Sequence, residues 1–131
     1  MNPKLLNGSV LTYIGDSYYE HEIRSYLVGE GLTKLNDLHQ EAIKYTSGKA
    51  QAKIIKYLLE DNLLTEEEIN IYKRGRNITI TTKKNFELNE IHNSNGFEAL
   101  IGYLSLTNIN RVKEIINYAI AYIKEHNGQR K

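Results

Sequence analysis

The sequence predicts an all-α fold, a single domain of five to seven helices, and three observations carry that expectation. Apolar residues recur at three- and four-residue spacing through most of the chain, and the segments between them carry helix-capping and turn chemistry. The length, 131 residues, is that of one ordinary domain able to bury its own core, with no internal repeat and no shift in composition that marks a second unit.

Pro3 and the Asn7-Gly8 pair lead into a first helix over Ser9–Val28, with Val10, Ile14 and Tyr18 on one line and Tyr19, Ile23 and Leu27 on another. Within it, Leu11-Thr12-Tyr13-Ile14-Gly15-Asp16-Ser17-Tyr18-Tyr19-Glu20 holds a carboxylate where apolar contact is expected. At about 100° per residue, Asp16 projects with Thr12, Tyr13, Tyr19, Glu20, Ile23 and Leu27, a stripe expected to face protein. An unpaired buried carboxylate costs several kcal/mol, roughly, so a metal ion, an Arg or Lys, or a helix N-terminus is expected beside it. Gly15 costs about 1 kcal/mol relative to alanine inside a helix, and its use there would be to let another backbone come close.

Gly29-Glu30-Gly31 ends this helix. A second begins near Asn36 and buries Leu38, Ala42 and Tyr45; Thr46-Ser47-Gly48 interrupts it, and a third follows over 49–60, with Ala50, Ile54, Ile55, Leu58 and Leu59 inward. Lys49, Lys53 and Lys56 form its solvated side. Leu64-Thr65-Glu66-Glu67-Glu68-Ile69 combines a capping box, Thr65 with Glu68, and a hydrophobic staple, Leu64 with Ile69. Acidic residues in that first turn, with Lys73 and Arg74 in the last, suit the helix dipole.

Between positions 73 and 84 stand five basic residues and no acidic one, Lys73, Arg74, Arg76, Lys83 and Lys84, in a segment that reads as a loop or short hairpin. Clustered cations on a Gly-containing loop suit phosphate contacts. Residues 85–95 are polar, and Asn93-Ser94-Asn95-Gly96 reads as a cap and turn before a short apolar helix, 97–106. There Glu98 shares a face with Ile101, Gly102 and Ser105, a second lone carboxylate near a glycine. Asn108 or Asn110 caps the last helix, whose stripe is Val112, Ile115, Ile116, Ala119, Ile120 and Ile123, and residues 125–131 are expected to fray.

Composition removes several classes of function. The chain has no cysteine, so disulfides, thiolate metal sites and thiol catalysis are excluded. Lys plus Arg total 17 against 16 for Asp plus Glu, so a polyanion site must come from local clustering rather than net charge. No membrane-length apolar run and no signal-peptide pattern is present, and the expectation is a soluble cytoplasmic protein without a membrane partner. The four histidines are too scattered for a zinc motif, no serine sits in a nucleophile elbow, and no phosphate-cradling loop for a nucleotide cofactor occurs.

Two carboxylates on two apolar helices, each near a glycine, can form a site in which the helices meet and share a hard cation. Mg²⁺ suits such a site because it is often held by one or two carboxylates and keeps its remaining positions for water or phosphate. The alternative is that Asp16 and Glu98 each pair with a cation such as Arg24 or Arg111, or cap a neighbouring helix.

Tyr13-Ile14-Gly15-Asp16-Ser17 with Tyr19-Glu20 resembles the signature segment of the ribonuclease III endonuclease domain, and Gly96-Phe97-Glu98-Ala99-Leu100-Ile101-Gly102-Tyr103-Leu104 resembles its second acidic motif. Their order and separation, with Lys49-Ala50-Gln51-Ala52, Leu64-Thr65-Glu66-Glu67-Glu68 and Arg74-Gly75-Arg76-Asn77, resemble the group's minimal members, the Mini-ribonuclease III family, over nearly the whole chain. The resemblance implies a homodimeric all-α endoribonuclease that hydrolyses double-stranded regions of structured precursor RNA, notably large-subunit ribosomal RNA, leaving 5′-phosphate and 3′-hydroxyl ends. It implies Mg²⁺ as cofactor, with Mn²⁺ a substitute, held by Asp16 and Glu98. Arg74, Arg76, Asn77, Lys83, Lys84 and Lys49 become the RNA-contacting residues, the first five within a basic RNA-binding loop over 73–95. The larger enzymes carry two further acids, where this chain has Thr12 and Asn95, and the family's Tyr-Arg before the second motif is replaced by Ile91-His92. A catalytically silent RNA-binding module of ribosome assembly is the competing reading.

Overall fold

Asn7 sets the first helix: its side-chain oxygen accepts from the Val10 amide at 2.9 Å, and α1 then runs Gly8–Gly29. A computed structural model describes residues 1–80 and 85–128, without the side chains of 85–87 and 128. After a 3₁₀ turn at Pro3–Leu5, the described residues form six α-helices: α1, α2 (Leu35–Thr46), α3 (Gly48–Glu60), α4 (Glu66–Arg76), α5 (Asn85–Thr107) and α6 (Ile109–Gly128). The all-α expectation holds. None of these helices is long and apolar enough to cross a membrane.

The buried side of α1 is Gly8, Leu11, Gly15, Tyr19, Ile23 and Leu27, an almost regular four-residue repeat. That line places Asp16 at its edge, and Asp16 is exposed, not buried within the stripe as its helical angle suggested. Tyr19 meets Phe97 of α5 edge-to-face with ring centroids 5.0 Å apart, and its hydroxyl donates to the Tyr45 carbonyl at 3.0 Å. Helix α5 is the centre of the domain, packed against α1, α3, α4 and α6, with Gly96, Phe97 and the whole run Ala99–Leu104 buried.

Two boundaries differ from the sequence reading. Helix α4 continues through Arg76, so Lys73 and Arg74 stand in its last turn as the dipole pattern suggested, and Arg76 joins them there rather than in a loop. Helix α5 begins at Asn85, so 85–95 is not part of a basic loop either, and Asn93-Ser94-Asn95-Gly96 lies inside a helix. The polar residues there find partners without leaving the helix: Tyr72 donates to Asn93 at 2.6 Å and Ser94 to the Ile91 carbonyl at 3.1 Å. At the C-terminus α6 extends to Gly128, beyond the point where fraying was expected, and 129–131 lie outside the described residues. Asn108, not Asn110, caps α6, accepting from the Arg111 amide at 3.1 Å.

The capping box on α4 is present, and it does more than cap. Glu68 is 4% exposed and accepts from the Thr65 amide at 2.9 Å and from two Arg111 nitrogens, each at 2.8 Å. Arg111 also donates to the Leu63 carbonyl at 2.7 Å and to Glu114. Burial alone raises the Glu68 carboxyl; the Arg111 and Thr65 hydrogen bonds overcome it and hold the group below the usual range. Arg111→Met is therefore expected to cost about 3–5 kcal/mol, because it strands a buried charge. Glu68→Gln in the same background should recover part of that loss in a urea titration; no recovery would show that packing, not charge, accounts for it.

Candidate active site

Helices α1 and α5 touch through their backbones. A Cβ on Gly15 would lie 1.8 Å from the Glu98 carbonyl oxygen, and one on Gly102 would lie 2.1 Å from the Leu11 carbonyl oxygen. Only glycine permits that crossing. It sets Asp16, the next residue on α1, beside Glu98 on α5, close enough for the Asp16 charge to act on the Glu98 carboxyl.

Burial is the chief reason that the Glu98 carboxyl rises, to about 7; a hydrogen bond from Gln51 opposes it, and the charges of Asp16 and then Glu20 add to it. Glu20 is partly compensated by Arg24 at 3.2 Å. No ion pair among the described residues involves Asp16 or Glu98, and the two cations named as possible partners are used elsewhere, Arg24 on Glu20 and Arg111 on Glu68. Two crowded carboxylates with no protein cation are the donor set that a hard divalent ion satisfies.

The protein's share of such a site is small. Among the described residues no group of three or more His, Cys, Asp or Glu side chains is placed to hold a metal. Thr12 turns back to the Ser9 carbonyl at 2.8 Å, and Asn95 packs its backbone carbonyl against Gly75 of α4. Remaining coordination positions would fall to water or substrate oxygens.

The raised pKa of Glu98 makes the site a source of pH dependence. Between about 4.5 and 7 the metal-free folded chain holds a proton on Glu98 that the unfolded chain has released, so stability falls as pH rises through that window. Chelator-treated protein is expected to lose on the order of 2 kcal/mol more than Glu98→Gln does between about pH 5 and pH 8, allowing for solvent screening. Thermal unfolding of both proteins across that range measures it, and a constant difference would contradict the coupling.

Gln51 is the residue that sequence reasoning missed. It is 3% exposed on α3, and its Nε2 donates to the Thr46 carbonyl at 3.1 Å and to Glu98 Oε2 at 3.2 Å. A signal was available, since Gln51 shares the buried stripe of Ile54, Ile55 and Leu58, where an amide has no reason to stand unless it has partners.

The basic residues fall into separate settings. Arg74 donates to the Lys4 and Leu6 carbonyls at 3.0 and 2.9 Å, tying the N-terminal segment to α4. Arg76 stands 5.5 Å from the Tyr72 ring centre, Lys73 is exposed, and Asn77 follows α4 as its C-cap. Lys83 and Lys84 lie outside the described residues. Lys49 is exposed in the first turn of α3, on the rim of a groove of about 670 Å³ also lined by Lys44, Lys53 and Lys56. Neither Asp16 nor Glu98 lines that groove.

A helical domain whose two acidic motifs meet at a glycine crossing is the arrangement of a nuclease of the ribonuclease III class. A family profile described as "Ribonuclease III domain" matches residues 9–108. Over 126 residues the chain is 47% identical to a Mini-ribonuclease 3 from Enterococcus faecalis, covering 95% of this chain and 96% of the other. It is 43% identical over 125 residues to that of Acholeplasma laidlawii, covering 94% and 100%. A crystal structure of a Fusobacterium nucleatum protein superposes with a TM-score of 0.77 at 30% identity, covering 89% of this chain and 93% of that one. The chain belongs to the ribonuclease III family, among the Mini-ribonucleases 3, and is an endoribonuclease.

Proposed function

We propose that the chain hydrolyses phosphodiester bonds in double-stranded regions of structured precursor RNA in the cytoplasm, large-subunit ribosomal RNA being the expected substrate, with Mg²⁺ held by Asp16 and Glu98. The observation that carries this reading is the meeting of those two carboxylates across the Gly15–Gly102 contact with no ion pair to either among the described residues. Mn²⁺ has the same oxygen preference and should substitute.

When bound, the divalent ion supplies charge neutralisation at a phosphoryl oxygen and lowers the pKa of a water. The protein's part is placement. Asp16 presents its carboxylate from the exposed edge of α1, and Glu98 presents its own from a half-buried position fixed by Gln51. The bond that breaks joins phosphorus to the 3′ oxygen, which takes a proton and leaves as a 3′-hydroxyl, while the water oxygen becomes part of the 5′-phosphate.

Affinity for the duplex is assigned to Arg76, Lys73, Asn77 and Lys49, together with Lys83 and Lys84. Arg74 contributes chiefly by anchoring the N-terminal segment, since its guanidinium is already engaged by two carbonyls. Duplex RNA is read by shape, phosphate and 2′-hydroxyl, and a two-fold homodimer can set one acid pair against each strand. Support for a dimer comes from apolar side chains left exposed, Tyr13 at 82% on α1, and Val28, Leu35 and Ile43 around a groove of about 450 Å³ between α1 and α2.

Arg76→Ala is expected to weaken duplex binding at all sequences alike and to reduce the slope of log affinity against log salt by about one. A filter-binding series in KCl measures this, and an unchanged slope would remove Arg76 from the phosphate contacts. The function itself is tested by incubating the protein with a long RNA duplex and with the matching single strand, in Mg²⁺ and in chelator. Mg²⁺-dependent cuts within the duplex leaving 5′-phosphates are expected. Retention of uncut duplex under all conditions would favour the silent RNA-binding module.

A further inference from the structure

We infer that Gln51 is a positioning residue for catalysis, the group that turns the Glu98 carboxylate toward Asp16 and holds it there. The inference rests on the reading of Asp16 and Glu98 as metal ligands. Glutamate has a long side chain, and Glu98 is only half-buried, so repulsion from Asp16 and Glu20 can swing its carboxylate away toward solvent. What opposes that swing is the hydrogen bond from Gln51 Nε2 to Glu98 Oε2 at 3.2 Å.

The amide is itself fixed from several sides. Its nitrogen faces two oxygens, on Thr46 and Glu98, an orientation that only the donor end of the amide satisfies. Its backbone amide bonds the Ser47 carbonyl at 2.9 Å, and Ser47 in turn caps α3 by accepting from the Ala50 amide at 3.1 Å. Gln51 therefore joins the end of α2, the start of α3 and the middle of α5, and Glu98 takes its orientation from that junction.

The cost of this arrangement is visible. Gln51 Oε1 is buried without a partner among the described residues, a condition that an apolar side chain of the same shape would avoid. An amide at this position is thus not the choice that packing alone favours. Groups that hold a metal's ligands typically change metal affinity or turnover by roughly 10–100-fold when removed.

Gln51→Met keeps length and volume and removes the donor; Gln51→Asn keeps the amide and withdraws it by one methylene. In each, Mn²⁺ affinity of the RNA-free protein, read by electron paramagnetic resonance, is expected to fall roughly 10–100-fold. The single-turnover rate on a long duplex should fall with it, while KM for the duplex stays within about twofold, as the RNA-contacting side chains are untouched. Thermal stability of Gln51→Met should change little, since losing the unpartnered acceptor offsets the bond lost at the Thr46 carbonyl. Unchanged Mn²⁺ affinity and turnover with a lowered Tm would overturn the proposal and leave Gln51 a packing residue, as would loss of the fold in both variants. Glu98→Gln serves as the control. If it loses Mn²⁺ affinity while the Gln51 variants keep theirs, the role of Gln51 alone falls; if it too binds Mn²⁺ like the parent, the acid-pair reading falls with it.

Discussion

Asp16→Asn and Glu98→Gln are each expected to slow cleavage of an RNA duplex by roughly 10³-fold, corresponding to about 4 kcal/mol of lost transition-state stabilisation. Duplex retention on a gel should survive in both, because neither residue is among the cations assigned to phosphate. The variants should also be at least as stable as the parent in chelator. Each removes one charge from a crowded pair whose crowding, together with burial, is what raises Glu98. A loss of activity accompanied by loss of fold would not fit this account, nor would a variant that still cuts within tenfold of the parent rate.

Gly15→Ala is expected to destabilise the domain by about 3 kcal/mol or more. The added methyl would sit 1.8 Å from the Glu98 carbonyl oxygen and 2.8 Å from the Gly102 amide nitrogen, so it meets backbone on both counts and cannot be relieved by a rotamer change. The helices must separate, and Asp16 and Glu98 separate with them. Cleavage by the fraction that remains folded should therefore fall as well, measured at low temperature where the variant is populated. A variant with ordinary stability and activity would show that the crossing is not tight.

Much of this was legible in the sequence, for identifiable reasons. The helices of strong periodicity, α1 and α3, appear within a residue or two of their expected ends, and Thr65 with Glu68 marked the start of α4. The paired glycine and carboxylate in each acidic motif foretold a close helix contact, because a glycine within a helix is costly unless another backbone needs the space. Helix α5 was legible only in its second half. It is surrounded by α1, α3, α4 and α6, so its buried residues form no stripe, and Asn93 and Ser94 are spent on contacts with α4 and within the helix that have no local signature.

The site was half legible by the same logic. Asp16 and Glu98 stood out as acids among apolar neighbours, but the angle of Asp16 misplaced it by a fraction of a turn, enough to separate a buried residue from an exposed one. Arg111 was visible as a candidate cation for either acid; its bond to Glu68 depends on a meeting of α4 and α6 that spacing cannot reveal. For Gln51 the stripe announced burial but not the partner, which is 47 residues away. Arg74 and Arg76 look equivalent in sequence, and only the fold separates an anchor on the Lys4 and Leu6 carbonyls from a cation beside Tyr72.

The central claim is that Asp16 and Glu98 hold one site jointly, and direct Mn²⁺ binding tests it most simply. Calorimetric titration of chelator-stripped protein, with and without bound duplex RNA, should show binding by the parent chain that is strengthened by the RNA, whose phosphates supply oxygens that Thr12 and Asn95 do not. Asp16→Asn and Glu98→Gln should each abolish the RNA-free binding, since neither carboxylate suffices alone. Binding that persists in either variant at the parent affinity would contradict a shared site.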